Sequence, residues 1–400
     1  MTGPRVVVMG GSIGGLNAAL WLRHAGWDVE VLERSHSPLE GRGAGIVMHP
    51  ATGRYLTEHG LAGLDEISAP VRCLRYLDQD ATVAHQSPCS YRFTSWNTLY
   101  RGLLTALGPD RYRMAAEVVA FEDGGEAVEV HLAGGGRAHG DLLVAADGVA
   151  STARSILLPG AEPRYAGYVA WRGAVGEWEL AEDTFRLLDE AITYHLMPAS
   201  HILAYPIPNV DGTLTAGRRR INWVWYRNVA EGADLDDLMT DLAGQRQPLS
   251  LPPGRVRAHH VERLRAVAAA LPAPLAEMVL TTAEPFIQVV VDVEVDQMVF
   301  GRVCLLGDAA FALRPHTAVG TAKAAEDAWQ LARALPGDGD PDGRDEALRR
   351  WEAAQLTLAR QVLDRTRRAG HRSQVEGSWQ VGEPLPFGLY REGDSALEAP

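Results

Sequence analysis

The chain of 400 residues has a single lysine, three cysteines and no apolar run long enough to cross a bilayer. Cys73, Cys89 and Cys304 lie far apart, form no CxxC and share no zinc-type spacing with the 13 histidines. A disulfide scaffold is therefore not expected, no metal ligands are assigned, and a reducing, cytoplasmic setting fits. The first strand starts within a few residues of Met1, so no signal peptide is expected. Positive charge is also short: 38 Lys and Arg stand against 51 Asp and Glu, a net charge of −13. Such a balance argues against nucleic acid or an anionic membrane as partner. The lysine is Lys323, so almost all positive charge is arginine.

What is present is a large apolar fraction, 46%, enough for two domains or one large one. Val6-Val-Val-Met9 reads as a buried strand, followed by Gly10-Gly-Ser-Ile-Gly-Gly15, a helix over 16–25, and a second strand from Trp27 to Glu33. This is a β-α-β unit and the start of a parallel sheet. Asp141 to Asp147 is another apolar strand, closed by Asp147-Gly148. From 165 to 291 the character changes to aromatic and β-branched pieces, such as Ile221-Asn-Trp-Val-Trp-Tyr226, read as an antiparallel sheet. Helices are expected over 235–242 and 274–280 within it. The parallel sheet resumes at 303–306, with helices over 321–335 and 345–368 beyond. The stretch after Gly370 has no periodicity and is expected to be poorly ordered or draped on the surface.

Two motifs carry chemistry. In G-x-S-x-x-G, Gly10 permits the tight turn, Ser12 still allows backbone to approach a pyrophosphate, and Gly15 lets helix and strand pack closely. Glu33 stands where an acid accepts from a ribose hydroxyl and would repel a 2′-phosphate, which suits an ADP moiety. The second motif is Leu305-Leu-Gly-Asp308, a strand end, followed by a proline loop and a helix opening at Gly320. The free N–H groups of that helix start suit an electron-rich, partly anionic group.

These motifs, in this order and together with Asp147-Gly148, resemble the class A flavoprotein aromatic hydroxylases of the para-hydroxybenzoate hydroxylase type, over 6–368. More narrowly, Tyr165 to Gly173, Ala204 to Pro208, Trp225 to Gly232, Leu235 to Asp241 and Arg314-Pro-His316 resemble the dihydroxypyridine hydroxylases among them. The implied fold is α/β, a doubly wound FAD-binding (Rossmann-like) domain with a β-rich substrate domain and a C-terminal helix. Its expected bounds are 1–75, 97–167 and 292–336 for the FAD domain, 76–96 and 168–291 for the substrate domain, 344–370 for the helix and 371–400 for a tail.

The resemblance implies FAD held by Gly10, Ser12, Ile13, Gly14, Gly15, Glu33, Arg34, Arg42, Arg101, Asp147, Asp308, Pro315, Ala318, Val319, Gly320 and Thr321. Plain surface salt bridges remain the alternative for Arg42 and Arg101. It further implies NADH or NADPH as co-substrate, O2, a small aromatic or heteroaromatic substrate and a possible homodimer. The implied chemistry is oxygen transfer from a flavin C4a-hydroperoxide to an electron-rich ring in a dry pocket. Tyr205, Trp223, Trp225 and Phe286 are candidate walls. His49, His195 and Tyr205 are candidates to deprotonate a ring hydroxyl. Ala318, Ala322 and Phe311 depart from residues common in the family. Lys323 either approaches the reduced flavin's negative edge or faces solvent. Two other readings stand beside this one: the same chemistry on a larger natural-product scaffold, and a non-catalytic flavin-binding sensor.

Overall fold

The computed structural model describes residues 3–41, 44–335 and 341–394. Its first layer is a six-stranded sheet in the order Val299–Phe300, Val303–Leu305, Leu142–Ala145, Arg5–Met9, Asp28–Leu32 and Tyr112–Arg113. All neighbours are parallel except the hairpin of the first two. Helices cover the sheet, so its central strands are nearly continuous apolar runs. The helix Ile13–His24 follows the first strand and packs against Gly320–Ala334. Gly26, at φ +96°, ends it in the left-handed conformation that suits glycine. Arg5–Met9 lies between its two neighbours, and the chain leaves it first to one side and later to the other. A crevice therefore opens at the carboxyl ends of Arg5–Met9 and Leu142–Ala145.

The second layer is a nine-stranded sheet. Its order is Ser250–Leu251, Phe286–Asp292, Arg164–Gly176, Arg220–Asn228, Ser200–Ile207, Ala191–Met197, Ala69–Leu77, Val83–Ser95 and Gly45–Val47. Neighbours are antiparallel, apart from Ala191–Met197 beside Ala69–Leu77. Gly45–Val47 and Ala69–Leu77 thus pair into a sheet that the sequence reading begins only at 76. Their partners are distant in the chain, which periodicity does not reveal. Both faces are buried. Trp171, Trp223, Trp225 and Ile287 point to the outer face, under the helices Ala233–Leu238, Ala258–Ala268 and Ala273–Thr281. Tyr168, Ala170, Tyr205, Val224 and Tyr226 point inward, towards the crevice. A smaller meander, Val118–Asp123, Val128–Leu132 and Arg137–Gly140, completes the strands.

The helix Pro341–His371 is longer than its apolar pattern suggested and runs into one wide turn, Arg372–Glu376. The chain beyond is not loosely draped, as far as it is described. Leu385 and Phe387 are buried in the inner-face cluster, and Leu389 packs with Val319 and Val362. A few well-placed apolar residues suffice to dock an irregular segment, and they leave no periodic signature.

Candidate active site

The crevice begins as a turn that only glycine can make. Gly10 sits at φ +101°, and a methyl group there would stand 2.4 Å from the Ala146 carbonyl oxygen. At Gly15 a methyl would meet the Gly10 carbonyl at 1.9 Å. Ser12 precedes the helix Ile13–His24 without capping it through its side chain, so the first-turn N–H groups stay open to an anion. Glu33 is buried and accepts from Gly11 N at 2.8 Å and Ser35 N at 2.8 Å. It props the turn, and its remaining lone pairs border a cavity of about 270 Å³, lined also by Gly10, Arg34, Trp96 and Asp147. Asp147 accepts from Ser151 Oγ at 2.6 Å and Ala153 N at 3.2 Å, which ties it to the helix Thr152–Leu157 as well.

Ser12, Trp96, Ala146 and Gly148 are shared with a larger cavity of about 570 Å³. Ile13, Gly14, Asp308, Pro315, Ala318, Val319, Gly320 and Thr321 form one side of it. Asp308 follows Gly307, at φ +60°, whose N–H donates to Asp327 at 3.1 Å. The Asp308 carboxyl is reached by solvent but stands deep between the layers. Loss of bulk water there pushes its pKa up to about 6, against the field of Arg154. Ala318 adopts φ +57°, a left-handed backbone that favours glycine. No side chain caps the helix Gly320–Ala334, and Thr317 Oγ1 and His316 Nδ1 are enclosed without a partner among the described residues. Open helix starts, an acid in the crevice and the orphaned Thr317 hydroxyl fit a flavin dinucleotide stretched across both cavities.

The opposite side belongs to the nine-stranded sheet. His201, Leu203 and Tyr205 line it from one strand, Val224 and Tyr226 from the next, Ala170 and Arg172 from a third. Tyr205 stacks on Phe93 with centroids 4.0 Å apart. Burial drives the phenols of Tyr194 and Tyr205 far up, and that of Tyr226 up to about 12, so all stay protonated. His316 Nε2 is 2.8 Å from Tyr168 Oη, and the two rings pack with His201 and Tyr226. Burial holds His201 down to about 3 and His316 well below the usual imidazole range, so both are neutral. If Tyr168 donates to Nε2, Nδ1 of His316 carries the ring proton; if Nε2 donates, Nδ1 accepts. Trp379 and Phe387, from the C-terminal segment, close the chamber.

Several expected site residues stand elsewhere. His49 caps the helix Pro50–Glu58 through Ala51 N, with its Nε2 3.2 Å from Asp394. His195 bonds the Leu77 carbonyl at 2.9 Å on the outer face. Neither lines the chamber, since residues 194 and 195 point to opposite faces of their strand and Tyr194 takes the inner one. For the same reason Trp223 and Trp225 are core of the outer face, and Phe286 lies beyond the lining. Arg101 is half-exposed, paired with Glu40, and lines neither cavity. Arg42 lies outside the described residues. Lys323 is fully buried and ion-paired with Asp327 one helical turn on, so it neither borders the cavity nor faces solvent. The sequence reading missed Tyr168, Arg172, His201, His316, Trp379 and Phe387. Strand parity could have found Tyr168, Arg172 and His201. His316 stands inside the loop it singled out.

A family model described as an FAD binding domain matches residues 4–166 and 280–366, and one described as FAD binding domain-like matches 165–292. The chain is 42% identical over 390 residues to 2,6-dihydroxypyridine 3-monooxygenase of Paenarthrobacter nicotinovorans, covering 97% of this chain and 96% of that one. The solved structure of 2,6-dihydroxypyridine-3-hydroxylase from Arthrobacter nicotinovorans superposes with a TM-score of 0.91 at 41% identity, over 98% of both chains. Klebsiella pneumoniae HpxO, solved with FAD and uric acid, shares the fold at a TM-score of 0.76 and 24% identity, over 93% of this chain and 89% of that one.

Proposed function

The chain belongs to the FAD-binding-domain flavoprotein monooxygenases, and from that membership we propose that it hydroxylates a small electron-rich ring, a hydroxypyridine or a phenol, with NADH or NADPH as reductant and O2 as co-substrate. The observation that carries this reading is the aromatic wall that the nine-stranded sheet presents across the larger cavity, of about 570 Å³, opposite the dinucleotide-binding loops. Similarity to an enzyme named for 2,6-dihydroxypyridine supports the heteroaromatic choice.

When bound, FAD would supply the reduced isoalloxazine that activates O2 for transfer of one oxygen atom to a ring carbon. Gly10, Ser12 and the first turn of Ile13–His24 hold its diphosphate, and Glu33 its ribose. Asp308 and the first turn of Gly320–Ala334 hold the other end. Tyr194, Tyr205, Tyr226, Trp379 and Phe387 keep water from the ring. His316 takes the proton-handling role that the sequence reading gave to His49 and His195. In the tautomer whose Nδ1 accepts, it takes a hydrogen bond from a ring hydroxyl while Nε2 donates to Tyr168.

The test is direct. Purified protein should carry FAD, and its NAD(P)H oxidation should rise with hydroxypyridines or phenols as one oxygen enters the ring. Bound FAD with no ring-stimulated oxidation across such a panel rejects this activity in favour of a flavin-binding sensor. A colourless protein that takes up no FAD rejects both.

A further inference from the structure

Arg172 is the one group on the sheet side of the chamber that is charged at neutral pH, among the described residues. It projects inward from a central strand, Arg164–Gly176, between Ala170 and Ala174, with Val224 and Phe286 beside it in register. No carboxylate pairs with it and no hydrogen bond engages it among the described residues, and its Nε is fully enclosed without an acceptor. Arg220, on the neighbouring strand, also has an enclosed Nε without a partner, but it does not line the chamber; three further arginines are fully engaged. Arg219 is held by Glu177 and Asp189, Arg314 by Asp292, and Arg154 by three backbone carbonyls.

The surroundings do not supply a counter-charge. The titratable groups lining the chamber are Tyr194, Tyr205, Tyr226, His201, His316 and Asp308. Burial keeps the three phenols protonated and both imidazoles neutral. Asp308 stands on the opposite, nucleotide side, and its nearest cationic influence is Arg154. Arg172 is only partly buried, so the rest of its guanidinium is open to the chamber, where an anion would supply the charge partner that the walls lack.

Resting on the activity read above, we propose that Arg172 binds the ring substrate as an oxyanion, so that the enzyme selects small monoanionic rings over neutral ones. Two sources fit that chemistry: an acidic ring hydroxyl already ionised at neutral pH, or a ring carboxylate. A planar guanidinium accommodates either through paired N–H donors. A ring oxyanion is also the more electron-rich partner for an electrophilic oxygen. The charge would then be fixed at Arg172 while His316 meets a second polar atom of the ring.

The experiment uses FAD-loaded enzyme and reads binding from the perturbation of the flavin absorbance. The probes are 2,6-dihydroxypyridine against its mono-O-methyl ether, and 4-hydroxybenzoate against 4-hydroxybenzamide, titrated from pH 8 to pH 4. The wild type should prefer the anionic member of at least one pair, and its affinity should fall as pH drops through that ligand's own pKa. The pair that shows the preference identifies the source of the charge. Arg172→Met should weaken the anion about a hundredfold and leave the neutral partner within about threefold. Arg172→Lys should recover part of the loss. Equal wild-type affinity for charged and neutral partners overturns the proposal while leaving the hydroxylase reading intact, and it requires no variant to fold. Loss of FAD retention in Arg172→Met with unchanged ring affinity places the guanidinium on the cofactor and overturns it too. Absence of binding by any ring overturns both readings.

Discussion

Lys323 and Asp327 form an enclosed ion pair within the helix Gly320–Ala334, and Asp327 also accepts from Gly307 N. Removing the lysine leaves a carboxylate buried without its cation. Lys323→Met should lower unfolding free energy by about 3 kcal/mol, and the double change with Asp327→Asn should restore most of it. Denaturant midpoints for the two variants decide this; a destabilisation that the second change does not relieve contradicts the pair. The histidines separate in a different measurement. His316→Asn should reduce kcat about a hundredfold with FAD affinity unchanged, if that imidazole orients the ring hydroxyl as proposed. His195→Phe should leave kcat within about twofold and cost about 1 kcal/mol, because it strips one buried hydrogen bond from the Leu77 carbonyl. Equal losses of kcat in both variants would refute the assignment of roles.

The C-terminal segment acts as an element despite its irregular backbone. Arg372 holds Glu383 at 2.8 Å, Tyr76 Oη donates to the Glu383 carbonyl at 3.2 Å, and the Asp394 carboxylate gathers three backbone N–H groups while facing His49. These ties hold Trp379 and Phe387 over the chamber. Ending the chain after Glu376 should therefore admit water, and the hydrogen peroxide formed per NAD(P)H oxidised should rise severalfold. Trp379→Ala, a milder change, should move the same ratio in the same direction. An unchanged ratio in both would show that the segment is a structural brace only. Strand elements also explain the misassigned walls. Trp223 and Trp225 share one face of their strand, and Val224 and Tyr226 the other. A run that is apolar throughout does not reveal which parity faces the ligand.

At the scale of the whole molecule, two enclosed neutral histidines make stability depend on pH. His201 is held near 3 and His316 well below 6.5, their ordinary value. The unfolded chain takes up protons at these sites as pH falls below about 6.5, and the folded one does not. Stability present above that pH is thus lost as pH drops, by up to about 1.4 kcal/mol per unit for each histidine. Denaturant unfolding at pH 7.5 and pH 5.0 should show the loss, and His201→Phe should reduce it. Equal stability at the two values would contradict burial of these imidazoles in the neutral form. The amino-acid sequence alone determined the nucleotide crevice, because a strand, a glycine turn and a helix start are contiguous, and steric and hydrogen-bonding demands act within a dozen residues. Gly10, Ser12, Glu33, Asp308 and Gly320 were legible for that reason. The ring chamber was decided by tertiary structure. Arg172, His201, His316 and Trp379 come from four separate stretches, and they meet only because sheet register, strand parity and the docking of the final segment bring their side chains to one inner face.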